Sequence, residues 1–62
     1  MKNMTAAEIL VRIDAEIEAE KILENEAIRD GVPAQVDISY LRIELLKNVR
    51  ETIVRIAEEA AL

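Results

Sequence analysis

The fold depends on one short stretch, residues 27–38, which reads AIRDGVPAQVDI. This stretch contains the only glycine of the chain, Gly31, and the only proline, Pro33. Glycine readily adopts the left-handed conformation that ends many helices, and a proline soon afterwards prevents the helix from continuing. The stretch therefore predicts a turn, at about residues 31–37, between two helices.

Upstream of this turn, residues 5–8 mark the start of the first helix. Thr5-Ala6-Ala7-Glu8 has the form of a capping box, in which the Thr5 hydroxyl accepts from the Glu8 amide and the Glu8 side chain reaches back to the Thr5 amide. Strong helix-forming residues then continue without a glycine or proline up to the turn. We therefore predict a first helix over about residues 6–30.

Downstream of the turn, the second helix has two candidate starts. Asp37 can cap a helix that begins at Ile38, whereas Pro33 can itself occupy the first helical position. We prefer the first alternative and expect a firm helix over about residues 38–61, with residues 33–37 as a turn or an extra helical turn. Two helices of similar length joined by a short turn favour an antiparallel hairpin, which forms a single domain over residues 1–62.

The short length of the chain predicts association. Domains of about 60 residues are marginal, and small chains gain stability from disulfides, metals or oligomerisation. The 62 residues include no Cys and no His, which excludes disulfides and the usual zinc ligands. We therefore expect an all-α fold in which the hairpin associates into a four-helix bundle, as a homodimer or higher oligomer. Cofactors are not expected.

Apolar side chains form stripes on both helices when residues are placed at about 100° per residue. Helix 1 carries a second, narrower stripe, which is expected to widen the dimer interface, to pair two dimers or to receive a different protein. On helix 2, Ile43 and Val54 are placed at the border of the stripe. The residues expected to mediate self-association are Ile9, Leu10, Ile13, Ile17, Leu23, Leu41, Leu45, Val49, Ile53 and Ile56. The second interface comprises Val11, Ala15, Ala19 and Ile22.

Charged residues interrupt the main stripes at Glu16, Glu20 and Glu24 of helix 1 and at Arg42 and Arg50 of helix 2. Buried charges are costly unless they are paired. In an antiparallel hairpin, Arg42 comes level with Glu24, and Arg50 comes level with Glu16 and Glu20. We therefore expect buried ion pairs among Glu20, Glu24, Arg42 and Arg50, which would fix the register of the helices.

A metal site is the less favoured interpretation of the same glutamates. Glu16, Glu20 and Glu24 project from one side of a helix, and iron, manganese or calcium accept carboxylate oxygens as ligands. However, di-iron carboxylate bundles usually supply Glu-x-x-His motifs, the chain has no His, and Arg42 would repel a cation.

The composition of the chain argues against several classes of function. The net charge is −5 and Tyr40 is the only aromatic residue, which argues against binding to nucleic acid or to anionic membranes. No apolar run is long enough to span a membrane, no secretory signal is visible, and the lack of Cys favours a cytoplasmic location. No catalytic motif is present, so we do not expect an enzyme.

These features predict a structural or protein-interaction module that self-associates through its apolar helix faces. The simple composition and clear capping signals also suit a designed helical bundle. One alternative is a module that binds a different protein, as an acidic helical adaptor or inhibitor. A carboxylate-rich metal-binding bundle is the less favoured alternative.

Overall fold

The chain folds as two α-helices that pack against each other in a hairpin, as described by a computed structural model for residues 3–61. Helix α1 spans Ala6–Asp30 and coincides with the expected range. Helix α2 spans Pro33–Ala61, so the preferred start at about residue 38 is wrong and the alternative start at Pro33 is the observed one. Residues 1, 2 and 62 of the expected domain lie outside the described residues.

Helix α1 begins with a cap formed by Thr5. The Thr5 hydroxyl oxygen accepts a hydrogen bond from the Glu8 amide at 3.2 Å. The Glu8 carboxylate accepts from the Thr5 hydroxyl, also at 3.2 Å, and this bond takes the place of the expected bond to the Thr5 amide. One of the two bonds of the capping box is therefore present, and it satisfies an amide that the helix itself leaves free.

Helix α1 ends in a Schellman motif centred on Gly31. This glycine has φ 68° and ψ 45°, which is the left-handed region. Its amide donates to the Ile28 carbonyl at 3.3 Å, and the Val32 amide donates to the Ala27 carbonyl at 2.9 Å. These two bonds satisfy carbonyl groups at the end of the helix, and the positive φ explains the glycine at this position.

Helix α2 begins immediately after this motif. The Val32 carbonyl accepts from the amides of Gln35 and Val36 at 3.1 and 3.2 Å, so Val32 is the residue that precedes the helix. Pro33 then occupies the first helical position, where its missing amide hydrogen costs nothing. The connection between the helices is therefore only Gly31 and Val32.

The helices meet along a surface that we call the inner seam. Its members follow one another at alternating intervals of three and four residues, which is the spacing of a coiled-coil seam. All of them except Arg50 are buried or half-buried. On α1 the inner seam comprises Ala6, Leu10, Ile13, Ile17, Glu20, Glu24 and Ala27, and on α2 it comprises Val36, Ser39, Ile43, Leu46, Arg50, Ile53 and Ala57.

The apolar core occupies the middle of the inner seam. Ile13, Ile17 and Ile43 are buried, and half-buried Ile9, Leu46 and Ile53 pack against them. Ile43 therefore lies at the centre of the contact, which corrects its expected position at the border of the α2 stripe. The expectation failed because the apolar residues of α2 extend beyond the inner seam on one side and displace the apparent centre of the stripe.

Small side chains occupy the part of the inner seam nearest the turn. Ala27 is buried, and Ser39 is fully buried with an exposure of 0%. The Ser39 hydroxyl accepts a hydrogen bond from the Gln35 side-chain amide at 2.9 Å, which gives this buried oxygen a partner. A small residue on each helix in this part of the inner seam lets two helices joined by a two-residue connection approach closely.

Candidate interaction surface

Helix α2 carries a set of large aliphatic side chains that the hairpin does not cover, and we call this set the outer stripe. It lies beside the inner seam on the same helix. Its members are Ile38, Leu41, Leu45, Val49 and Ile56, with exposures of 44%, 65%, 63%, 40% and 56%. An exposed apolar row of this length is a typical feature of an interaction site.

The outer stripe borders the groove between the two helices. One part of this groove is lined by Glu16 and Glu20 of α1 and by Arg42, Leu45 and Leu46 of α2. A molecule seated on the outer stripe would therefore also contact α1. The stripe and the α1 wall of the groove form one surface, which we call the open face.

Toward the turn, the open face continues past Leu23. Leu23 is half-exposed and lines a second part of the groove together with Val32 and Gln35. Leu23 lies seven residues after Glu16, and Gln35 lies seven residues before Arg42. Because a seven-residue step returns to nearly the same side of a helix, Leu23 and Gln35 extend the two walls formed by Glu16 and Arg42.

The residues expected to mediate self-association fall into two groups in the single chain. One group lies in or against the inner seam, so the hairpin itself already covers it: Ile9, Leu10, Ile13, Ile17 and Ile53. The other group is exposed, and all its members lie on the open face: Leu23, Leu41, Leu45, Val49 and Ile56. The hairpin contact therefore uses about half of the predicted residues and leaves the others uncovered.

The residues of the expected second interface are all exposed. Val11 and Ile22 have exposures of 69% and 58%, and Ala15 and Ala19 are also exposed. None of the four belongs to the inner seam. In the single chain the four residues form an apolar row on α1. The small residues Ala15 and Ala19 separate the two large ones, Val11 and Ile22.

An ion pair joins the helices where the groove meets the inner seam. The Arg42 Nη1 donates to Glu20 Oε1 at 3.2 Å. Glu20 is buried, with an exposure of 8%, and its second oxygen, Oε2, is buried without a hydrogen-bond partner. The Arg42 side chain, in contrast, is 60% exposed. Only one of the two Glu20 carboxylate oxygens therefore has a hydrogen-bond partner, whereas most of the Arg42 side chain is exposed to solvent.

A second ion pair between the helices lies at Arg50, the arginine of the inner seam. The Arg50 Nε donates to Asp14 Oδ1 at 2.8 Å, and both side chains are about half exposed. Asp14 was not among the residues singled out from the sequence. Because Arg42 is level with Glu20, Arg50, eight residues farther along α2, is level with about residue 12 of α1, so Asp14 is closer to it than Glu16 or Glu20.

The partner of Arg42 also differs from the one first expected, Glu24. The expected turn of about seven residues has been replaced by a connection of two residues. A shorter connection moves its centre toward the N-terminus and shifts the register by about one helical turn. Arg42 therefore meets Glu20, and half-buried Glu24 has no ion pair with it.

Glu16, Glu20 and Glu24 are also the candidate metal ligands that the sequence offers. Within residues 3–61, no three or more carboxylates are grouped closely enough to hold a metal ion. The Glu20 carboxylate is instead bonded to Arg42. A single chain therefore presents these glutamates as a row along α1 and does not bring them together.

Neither α1 nor α2, over the part of the chain that the structure describes, contains a segment long and apolar enough to cross a membrane. A search with protein-family models, a comparison with curated proteins and a comparison with solved structures each gave no significant match. The surface of the hairpin is therefore the basis for any functional inference.

Proposed function

We propose that this chain is a non-enzymatic structural or interaction module that self-associates through its open face, so that two hairpins form a four-helix bundle. The observation that carries the proposal is the exposure of the outer stripe. Five large aliphatic side chains of one helix lie uncovered beside a core that contains only four buried apolar residues among residues 3–61.

The dimensions of the hairpin support association. Its accessible surface is 5009 Å², whereas a compact monomer of the same mass would expose about 4,000 Å². Its radius of gyration is 14.5 Å, whereas a compact domain of this length has about 10.6 Å. The single chain therefore exposes more surface than a self-sufficient domain, and covering the open face would remove part of this excess.

A second copy of the chain is the partner that fits this face best. The hairpin measures 47 × 22 × 15 Å, so its broad side has an area on the order of 1,000 Å², and stable interfaces bury about 800 Å² per partner. The open face carries aliphatic side chains together with both glutamate and arginine. Such a surface is complementary to itself under a two-fold axis, which is the common symmetry of homodimers.

The exposed row on α1 supports a second candidate function, the binding of a different protein. Val11 and Ile22 lie outside the open face, so a homodimer formed through that face would leave them free for a further contact. Glu8, Glu18 and Glu26 are exposed elsewhere on α1. A partner of this row would therefore be a helix with an apolar stripe and basic flanks.

Sedimentation equilibrium of the wild type and two matched variants tests the proposed self-association. Leu45→Asp places a charge on the outer stripe, and Tyr40→Asp places one at a similarly exposed apolar position of the same helix. We expect twice the chain mass of 7.0 kDa for the wild type and for Tyr40→Asp, and a lower mass for Leu45→Asp. A folded wild-type monomer, or equal effects of both substitutions, would refute the proposal.

A further inference from the structure

The apolar surface of the open face belongs mainly to α2. The five aliphatic residues of the outer stripe are all on that helix. On the α1 side, Leu23 is exposed and aliphatic, but the middle of the wall carries exposed Arg12 and Glu16. Arg12 lies eleven residues before Leu23, and this step of about three turns returns to nearly the same side of the helix. The open face therefore has an apolar half on α2 and a mixed half on α1.

Two arrangements bring the open faces of two copies together under a two-fold axis. An axis along the hairpin keeps both turns at the same end and packs α2 of each copy on the other copy's α1. An axis across the helices places the turns at opposite ends and packs α2 on α2 and α1 on α1, each pair antiparallel. The second arrangement covers one outer stripe with the other, and the free energy gained from apolar burial grows with the area removed from water.

The outer stripe is symmetric about one height on α2. Ile38 and Ile56 each lie nine residues from position 47, and Leu45 and Val49 each lie two residues from it. When two α2 helices run antiparallel with position 47 level with itself, Ile38 meets the other copy's Ile56, and Leu45 meets the other copy's Val49. Leu41, the remaining member, lies about one turn from Leu45 and flanks this contact.

The α1 side of the open face has a centre of its own, at Glu16. Ile9 and Leu23, the large aliphatic residues of this side, each lie seven residues from Glu16, and a seven-residue step returns to nearly the same side of a helix. Ile9 is half-buried and Leu23 is exposed. An antiparallel pair of α1 helices centred on Glu16 therefore packs each Ile9 against the other copy's Leu23.

One axis can serve both helices only if these two centres lie at the same height in the hairpin. The ion pairs within the chain give the heights, because Arg42 is joined to Glu20 and Arg50 is joined to Asp14. Position 47 lies between the two arginines, and interpolation along the regular rise of the helices places it level with about residue 16 of α1. The centre of the outer stripe and the centre of the α1 side therefore coincide.

From this coincidence we infer that two copies stack with their turns at opposite ends, about an axis that crosses α1 at Glu16 and α2 at position 47. This inference rests on the proposed self-association. The arrangement brings the two Glu16 carboxylates together at the axis, which is unfavourable. Arg12 of the other copy lies about one turn from each Glu16 and offsets part of this repulsion. The aliphatic area of two outer stripes outweighs the remainder, because charges near the surface interact weakly.

Spin labels near the turn distinguish the two axes. The chain has no native cysteine, so Asp30→Cys carries one label per copy at an exposed position. Asp30 lies fourteen residues from Glu16, so at about 1.5 Å per residue we expect pulsed electron double resonance to give roughly 40 Å. The same-end arrangement holds the labels across the bundle, within roughly 20 Å. Such a short distance would overturn the inference and keep the dimer, whereas the absence of any intermolecular distance would refute the self-association itself.

A disulfide at the axis tests the register with a matched control. Glu16→Cys should link two copies under mild oxidation, because the two substituted positions face each other. Ala19→Cys places a thiol at another exposed position of α1, but its two copies differ in height by six residues, about 9 Å, which is too far for a disulfide. Non-reducing electrophoresis measures the linked fraction. Equal linking in both variants, or no linking in a Glu16→Cys chain that sediments as a dimer, would overturn the inferred register.

Discussion

The inner seam and the outer stripe of α2 differ in a way that helix propensity does not explain. The inner seam, which the hairpin covers, includes the polar residues Ser39 and Arg50. The outer stripe, which the hairpin leaves exposed, consists of large aliphatic residues, and Thr52 between Val49 and Ile56 is the polar residue on that side of α2. The side that is buried in a single chain is thus the less apolar of the two, which suggests that the outer stripe is also buried when the chain functions.

The two surfaces have different physical roles in this account. The small residues near the turn let the helices approach, and the three isoleucines at the middle of the seam form the core. This seam sets the register of the hairpin but buries little apolar area. In the proposed dimer, the outer stripe would supply the additional area through a second copy, and the free energy of folding would then be coupled to association.

The largest effect is expected from a charge placed in the inner seam. Ile43→Asp buries an unpaired carboxylate at a core position, and the cost of several kcal/mol exceeds what a domain of this size can lose. We expect the helical circular dichroism signal at 222 nm to disappear at all protein concentrations. A variant that keeps its helicity would show that Ile43 is not buried in the folded state.

Truncation to alanine sharpens the comparison between the two surfaces. Ile43→Ala should cost about 2–4 kcal/mol and should lower stability at every protein concentration, because the cavity forms within the chain. Leu45→Ala should act mainly on association and weaken the dimer by about tenfold or more. Urea unfolding at two concentrations separates the two effects, and equal concentration dependence in both variants would contradict the distinction.

A smaller effect is expected at Gly31, which serves both surfaces because it sets the connection between the helices. An added Cβ would have no atom within 4 Å, so the cost arises only from φ 68°. We expect Gly31→Ala to lower the free energy of unfolding by about 1 kcal/mol. The midpoint of urea unfolding is measured for Gly31→Ala and for Ala34→Gly, which changes a helical residue just after the turn. A Gly31→Ala variant as stable as the wild type would argue against the left-handed cap.

The smallest effect is expected on the exposed row of α1. Val11→Asp should change the free energy of unfolding by no more than about 0.5 kcal/mol and should leave the dimer intact, because Val11 lies outside both the inner seam and the open face. Sedimentation equilibrium and urea unfolding measure both quantities. A shift from dimer to monomer would assign this row to self-association and would remove the contrast with the outer stripe.

Local signals in the sequence were sufficient to locate most of the helix boundaries. Thr5 and Gly31 act through their own backbone or side-chain geometry, so the bounds of α1 can be predicted without knowledge of the rest of the fold. The start of α2 was less certain because Asp37 and Pro33 both suit a helix N-terminus. The Schellman motif decides between these two starts, because it places Val32 directly before the first turn of α2.

The position of the inner seam could not be derived from one apolar stripe. Two adjacent apolar surfaces on α2 merge into a single broad stripe, so the pattern predicts Ile43 at its border and does not mark Ser39 as buried. The strict alternation of three and four residues from Val36 to Ala57 is the signal that separates them. The partners of Arg42 and Arg50 depended on the register, which the length of the connection determines.

The most direct test of the coupling between folding and association is thermal unfolding of the wild type over a hundredfold range of concentration. Circular dichroism at 222 nm would follow the helices, and the melting temperature of a folded dimer must rise with protein concentration by mass action. We predict such a rise, together with its loss in Leu45→Asp. A melting temperature that is the same at every concentration, in a chain that sediments as a monomer, would contradict the account.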